Sequence, residues 1–485
     1  MRTPPSSSVS LVSLAAAFWI CVIPRLLALL LVTHSGAVHA GLVALGDGGG
    51  GRVDTTGVLA DKRVAAVAAG ANHFLVLSAD GLIFARGAST RGQLGNGVSG
   101  DDQGVVAAKP GPELAGRPFI AISAGFDTSY ALTADGQVFA WGLNQFGQLG
   151  IGHYDLTFYP QAVVTNGALA GVKVAAISAG SLHCLALASD GRVFAWGENS
   201  VGQLGNGTTN NSSEPVAVDL SGALAGKTVT AIAAGSAYSL ALTAAGEIFG
   251  WGYNERGALG DGTNITRLSP VAVDFSGLPS EVKVTSLAAG GDFSLALTSD
   301  GKILAWGGND FGQLGDSTTE TRLKPIMTDF GGALSGRPII AIAAGAGHSL
   351  AWTADGMKFA WGYNQFGQLN VPGVNVSHPL PTPMETAGAL SGLIVTDLAS
   401  GATAFYTMFL TTEAARTAIT LSSAGAQFRV SGEPFMNYRL ERATDFTPPV
   451  IWSPMVPLTT DIGGAATYTD TVPVSPSFWR TVPAP

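Results

Sequence analysis

A glycine that closes a run of small residues, A-A-G or S-A-G, returns at Gly70, Gly125, Gly180, Gly235, Gly290 and Gly345, a period of 55 residues without slippage; a degraded seventh copy carries Gly401 one residue late. A long, strict period means one supersecondary unit copied along the chain. Each copy contains three short apolar runs, which in the fourth are "VTAIAAG", "YSLALT" and "EIFGWG". Each has the length of a buried strand. Asp-Gly separates the last two runs at Asp80-Gly81, Asp135-Gly136, Asp190-Gly191, Asp300-Gly301 and Asp355-Gly356. That dipeptide predicts a hairpin with a type I′ turn. A fourth run begins with proline, "PVAVD" at Pro215 and Pro270 and "PIMTD" at Pro325, and a leading proline suits a strand start. The unit is therefore four short antiparallel strands.

One such sheet buries little alone. Arranged radially, copies cover one another as propeller blades. An open solenoid would need polar caps, and the repeat shows none. The seventh copy stops after "YTMFLT" without a W-G strand, and the missing strand stands at the front as "GLVALG" from Gly41. The expected fold is all-β: a seven-bladed β-propeller over residues 41–412, closed by an N-terminal strand so that no sheet edge is left open. The first blade departs from the pattern. Only 24 residues separate Gly46 from Gly70, against 38 between Gly142 and Gly180, and Arg86-Gly87 replaces Trp-Gly. The reading places a shortened loop at the start of that blade.

The segments "AWGLNQFGQLG" at Ala140, "AWGENSVGQLGNGT" at Ala195, "AWGGNDFGQLGDST" at Ala305 and "AGAGHSLAWTADG" at Ala344 resemble the regulator of chromosome condensation repeat. The motif blocks recur in order over about residues 41–412. The resemblance implies a seven-bladed propeller, in agreement with the strand count. Its founding class exchanges guanine nucleotides on a small GTPase and binds chromatin, a plant class senses ultraviolet-B light, and a secreted bacterial class inhibits β-lactamases. A shared fold does not choose among these.

Charged residues make up 12% of the chain, and the formal net charge is −9. Residues 1–40 hold Arg2 and Arg25 and no acid, which leaves −11 for the rest. An acidic body without a basic run argues against nucleic-acid binding. Arg2, the apolar stretch from Leu11 to Val32 and "SGAVHA" read as an export signal cleaved after Ala40. The competing reading is an uncleaved anchor, but Pro24-Arg25 splits the stretch into pieces too short to span comfortably. The expected location is secreted or cell-surface. Cys21 leaves with the signal, so Cys184 remains alone, a small buried hydrophobe with no disulfide partner. After Thr412 the period ends. Residues 413–485 hold "AQFRVSG" and "NYRLERA", whose alternation predicts strands of a small β-sandwich. Tyr438 to Asp445, with Trp452, resembles a tail module of secreted bacterial proteins. It reads as a spacer or stabilising cap, with surface retention or sorting as the functional alternative.

No catalytic constellation stands out. His73, His183 and His348 share one repeat position with Thr128, Tyr238 and Phe293, a swap that a catalytic or metal residue would not tolerate. The expectation is a ring packed near the blade turn, with one nitrogen bonded to backbone. Trp141, Trp196, Trp251, Trp306 and Trp361 end the third strand as inter-blade fillers. The repeated G-Q-L-G lacks the Lys-Ser/Thr of a phosphate loop, and the Asp/Asn-rich loops lack spaced calcium ligands. The expected protein is non-enzymatic and needs neither cofactor nor metal. Loops that vary over a rigid ring commonly bind partners, which selects Asp127, Tyr253, Asn254, Asp292, Asp310, Tyr363 and Gln365. The function expected is a secreted protein-binding scaffold, in its sharpest form an inhibitor-like binder of an extracellular enzyme. Guanine-nucleotide exchange, by resemblance, and a carbohydrate-active or other hydrolytic propeller are the alternatives.

Overall fold

The computed structural model describes residues 41–413, apart from 47–48, 54–56, 61, 101–102, 110–116, 280–281, 329–330, 332–333, 374, 386–389 and 391–392, together with six backbone strands between 416 and 483. The expected signal at residues 1–40, and Trp452 of the tail, lie outside the described residues.

Six consecutive four-stranded antiparallel sheets form blades one to six, at 64–107, 119–162, 174–217, 229–272, 284–327 and 339–383. In blade three the order is Val174–Ala179, His183–Ala188, Val193–Gly197 and Ser212–Ala217. The second strand is buried along its whole length, and so is the third. The outer strand is partly exposed and carries Pro215, as an edge strand can. First strands line the centre. The residue after each marker glycine donates its N–H to the same position of the next blade: Ala71 to Phe126 O at 3.2 Å, Phe126 to Ser181 O at 3.1 Å, Ser181 to Ser236 O at 3.0 Å and Gly291 to Ala346 O at 3.1 Å. This belt of backbone bonds ties blade to blade around the axis.

The seventh blade is built from both ends of the repeat region. Its sheet runs Leu393–Ala399, Tyr406–Glu413, Gly41–Gly46 and Gly49–Val53 from the axis outward. Leu42 faces Leu410, Val43 faces Phe409 and Gly46 faces Tyr406. Leu42 and Ala44 pack with Phe74 and Val76 of blade one, while Val43 packs with Leu350, Ala360 and Leu369 of blade six. The closure expected from the sequence is present, with a correction. Two N-terminal strands complete the blade rather than one. The shortened loop is the one between them, so it belongs to the seventh blade and not to the first.

A second correction concerns the hairpins. Asp135 does not adopt positive φ; among the described residues only Ser317, Asn370 and Asn375 do so without being glycine. Gly136 N–H donates to Thr133 O at 2.9 Å, Thr133 N–H donates to Gln137 O at 3.0 Å, and Gly136 sits at φ +90°. This is a type I turn followed by a left-handed glycine, the longer hairpin connection. Thr133 Oγ1, which donates to Asp135 Oδ1 at 2.5 Å, fixes the extra residue.

The marker glycine answers a packing constraint. A Cβ on Gly180 would fall on the His183 ring and 2.5 Å from Gly235 O of the next blade. The five repeated tryptophans are fully buried. Trp141 Nε1 donates to Gln93 O at 2.9 Å and Trp361 Nε1 to Gln313 O at 2.9 Å, each across to the preceding blade. The tail forms two three-stranded antiparallel sheets. Gly425–Ser431 is central to one and Asn437–Ala443 to the other, the two segments whose alternation predicted strands.

Candidate partner-binding face

Each blade presents two loops on one face, one after the marker glycine and one after the third strand. The second loop is held by two side chains that recur in the sequence. Asn144 Oδ1 accepts Leu149 N–H at 2.9 Å, and its Nδ2 donates to His153 O at 2.7 Å and Asp155 O at 3.0 Å. Gln148 Oε1 accepts Phe146 N–H at 2.9 Å. These bonds satisfy a long loop internally, so its tip keeps a fixed shape.

Asn254, chosen from the sequence as a binding residue, belongs to this internal framework. It is fully buried; Oδ1 accepts Leu259 N–H at 2.9 Å and Nδ2 donates to Asp261 Oδ1, Thr263 O and Ile265 O, each at 3.1 Å. Every donor and acceptor of the amide is used within its own loop, and none faces a partner. The signal was available: Asn144, Asn199, Asn309 and Asn364 stand at the same repeat position.

The other chosen residues lie on this face. Asp127 accepts from Gln93 Nε2 of blade one at 3.0 Å; burial pushes its carboxyl up, and Arg91 opposes the shift. The matching Asp292 of blade five lacks that donor, because Ala258 replaces the glutamine in blade four. Its carboxyl is also pushed up by burial, against Arg256 and with help from Asp310. Arg256 Nη1 reaches Asp310 Oδ1 at 3.2 Å, its Nη2 bonds Asp310 Oδ2, and its Nε lies 3.7 Å from Asp292 Oδ2. Tyr253 donates to Glu255 Oε2 at 3.3 Å. Tyr363 donates to Gln365 Oε1.

The structure adds an aromatic cluster that the sequence reading missed. The Tyr363 ring centroid lies 4.6 Å from that of Phe311, 6.0 Å from Phe366 and 5.7 Å from Phe405. The phenylalanines belong to blades five, six and seven, and they stay 37%, 44% and 39% exposed. Phe311 and Phe366 were hidden in the recurring Q-L-G loop, which also carries Phe146. Phe405 was hidden by register. It precedes Tyr406, which pairs Gly46 as Phe293 pairs Gly307, so it matches Asp292; the late glycine obscured that match.

The repeated histidines are structural. His73 Nε2 meets Ser129 Oγ of the next blade at 2.8 Å, His183 meets Ser239 Oγ at 3.0 Å, and His348 meets Thr407 Oγ1 at 3.1 Å. Each ring meets a hydroxyl across the seam, and at His73 and His183 a backbone group of the next blade, at Thr128 and Tyr238, also bonds the ring, as expected. Burial lowers each to about 4, so the rings are neutral. Cys184 is buried at the same seam position as those hydroxyls, and burial pushes its thiol up. Among the described residues no three His, Cys, Asp or Glu side chains are placed to hold a metal ion.

The family model of the RCC1-like domain matches residues 36–274 and 164–420. The Ultraviolet-B receptor UVR8 of Arabidopsis thaliana is 33% identical over 315 residues, 64% of this chain and 67% of the receptor. The E3 ubiquitin-protein ligase HERC2 of Homo sapiens is 34% identical over 296 residues, which is 60% of this chain but 6% of the ligase. Among solved structures, yeast RCC1 (Prp20) bound to Kap60 superposes with a TM-score of 0.66, covering 85% of this chain and 97% of that one at 20% identity. At that identity the likeness shows the fold alone.

Proposed function

Because the chain belongs to the RCC1-like domain family of β-propellers, we propose that it is a non-enzymatic protein-binding scaffold whose partner sits on the loop face over blades four to seven. One observation carries this reading: four aromatic rings centred on Tyr363 lie together on that face, the three phenylalanines more than a third exposed. Exposed aromatics on a rigid, internally bonded surface are what protein interfaces use as anchors. Packing between blades asks for none of them, since the blade seams are already filled by the tryptophans and leucines.

The N-terminal signal motif and the acidic charge support export, and with it an extracellular partner such as a secreted enzyme held in an inhibitor-like manner. Guanine-nucleotide exchange remains the second reading, favoured by the family's founding class. Two measurements test the proposal. A photo-reactive amino acid at position 366 should cross-link to a protein when the full chain is exposed to secreted and surface proteins. The same substitution at the exposed Met357, on the opposite, Asp-Gly face, should not. Nucleotide release from a small GTPase at catalytic amounts of the chain would replace the scaffold reading with the second one.

A further inference from the structure

The geometry points to the occupant of this face as an extended cationic segment of a partner protein, with a Lys or Arg seated on Asp292 and Asp310 and a neighbouring apolar side chain on the Tyr363 cluster. The inference rests on the scaffold reading and names its partner's chemistry. Acidic and aromatic parts abut: Asp310 and Phe311 are consecutive, and Phe311 packs on Tyr363 at 4.6 Å between ring centroids. Asp292 and Asp310 share one cation, Arg256, which pairs with Asp310 and reaches Asp292 only at 3.7 Å. Asp292 is the under-served member. Its counterpart Asp127 takes a hydrogen bond from Gln93, and Ala258 removes that donor here.

Glycine leaves the acid uncovered. The ideal Cβ position at Gly308 is 2.6 Å from the Asp292 carboxylate, where other blades carry Leu143, Glu198 or Tyr253. Gly347, whose Cβ would lie 3.3 Å from both Phe311 and Tyr363, keeps the path between acid and rings low. A cation laid there meets carboxylates on one side and ring faces on the other, and both attract it. The chain's formal charge of −9 steers the same class of partner. Arg256 is then an internal stand-in, covering the acids until the partner's cation shares or displaces it.

The test is fluorescence anisotropy of the full-length chain with a fluorescein-labelled synthetic peptide that carries two arginines beside a Leu-Trp pair. Companion peptides have glutamate for arginine, or alanine for the Leu-Trp pair. Either change should weaken binding by about tenfold, and so should Phe366→Ala with Phe405→Ala. Arg256→Ala should tighten binding by about threefold, because it frees two carboxylates; Arg256→Gln serves if the alanine variant melts early. Preference for the glutamate peptide, or weaker binding after Arg256→Ala, would make Arg256 itself the contact and overturn the cationic assignment. Equal binding of all peptides, or none, also overturns it. In those cases cross-linking from position 366 still decides the scaffold reading on its own.

Discussion

At the scale of single residues, the repeat shows how seam chemistry is conserved while side chains change. At the third position after the marker glycine, a buried histidine or tyrosine bonds across to the next blade, as His183 to Ser239 Oγ at 3.0 Å and Tyr238 to Phe293 O, while Phe293 fills the same place by packing alone. The choice has a consequence for pH. His73, His183 and His348 fall from an ordinary 6.5 to about 4 through burial. A histidine lowered in the folded state contributes stability that is full above about pH 6.5 and lost as pH falls toward 4, on the order of 3 kcal/mol for each. The triple variant His73→Tyr, His183→Tyr, His348→Tyr should therefore lose less melting temperature than the natural chain between pH 7 and pH 4. Parallel curves would show that the histidines do not set acid sensitivity. Gly180→Ala puts a methyl group between the His183 ring and Gly235 O and should cost about 2 kcal/mol in denaturant unfolding. Much of this was legible because swaps among His, Thr, Tyr and Phe declare packing rather than chemistry. Asn254 was misread for the opposite reason: beside a variable position, an unvarying one passes as part of a variable loop.

At the scale of elements, the split blade is where the fold is most exposed to a single change. Val43 and Leu42 are fully buried, one against blade six and the other against blade one. Val43→Asp buries a charge without a partner and should destabilise the chain by about 3 kcal/mol or more. Deletion of residues 41–46 should lower the melting temperature by roughly 10 °C or more. A melting curve unchanged by the deletion would mean that the ring holds without this strand. The strand itself was visible in the sequence as the missing third member of a counted set. Its neighbour was not. Gly49–Val53 reads "GGGRV", with no apolar alternation and three glycines, which by local propensity is a turn; only pairing with Gly41–Gly46 makes it a strand. The hairpin turns carry the same lesson. Asp-Gly fixes where the chain reverses, but the Thr133 hydroxyl bonded to Asp135 selects the longer connection.

At the scale of the whole molecule, the ring brings together what the sequence keeps apart. Phe311 and Phe405 are separated by nearly two periods, yet both touch Tyr363. Periodicity revealed that Tyr253 and Tyr363 break a repeat position filled elsewhere by Leu143, Glu198 and Gly308. It could not reveal the cluster, because which loops converge depends on how the blades turn about the axis. This arrangement sets a test between the two domains. If the face is the binding element, Tyr253→Ala with Tyr363→Ala should weaken a captured partner by more than removal of residues 414–485 does. Removing Tyr363 takes away the ring on which three phenylalanines pack, so a loss of about 2 kcal/mol, some thirtyfold in affinity, is expected from a central anchor. Asp127→Asn, on blade two and away from the aromatic cluster, should act differently, lowering the association rate and its salt dependence with little change in dissociation, whereas Asp292→Asn removes a direct contact and should speed dissociation as well. The opposite pattern, full affinity in the tyrosine double variant and loss on removing the tail, would make the propeller the passive element and move recognition to the two small sheets beyond it.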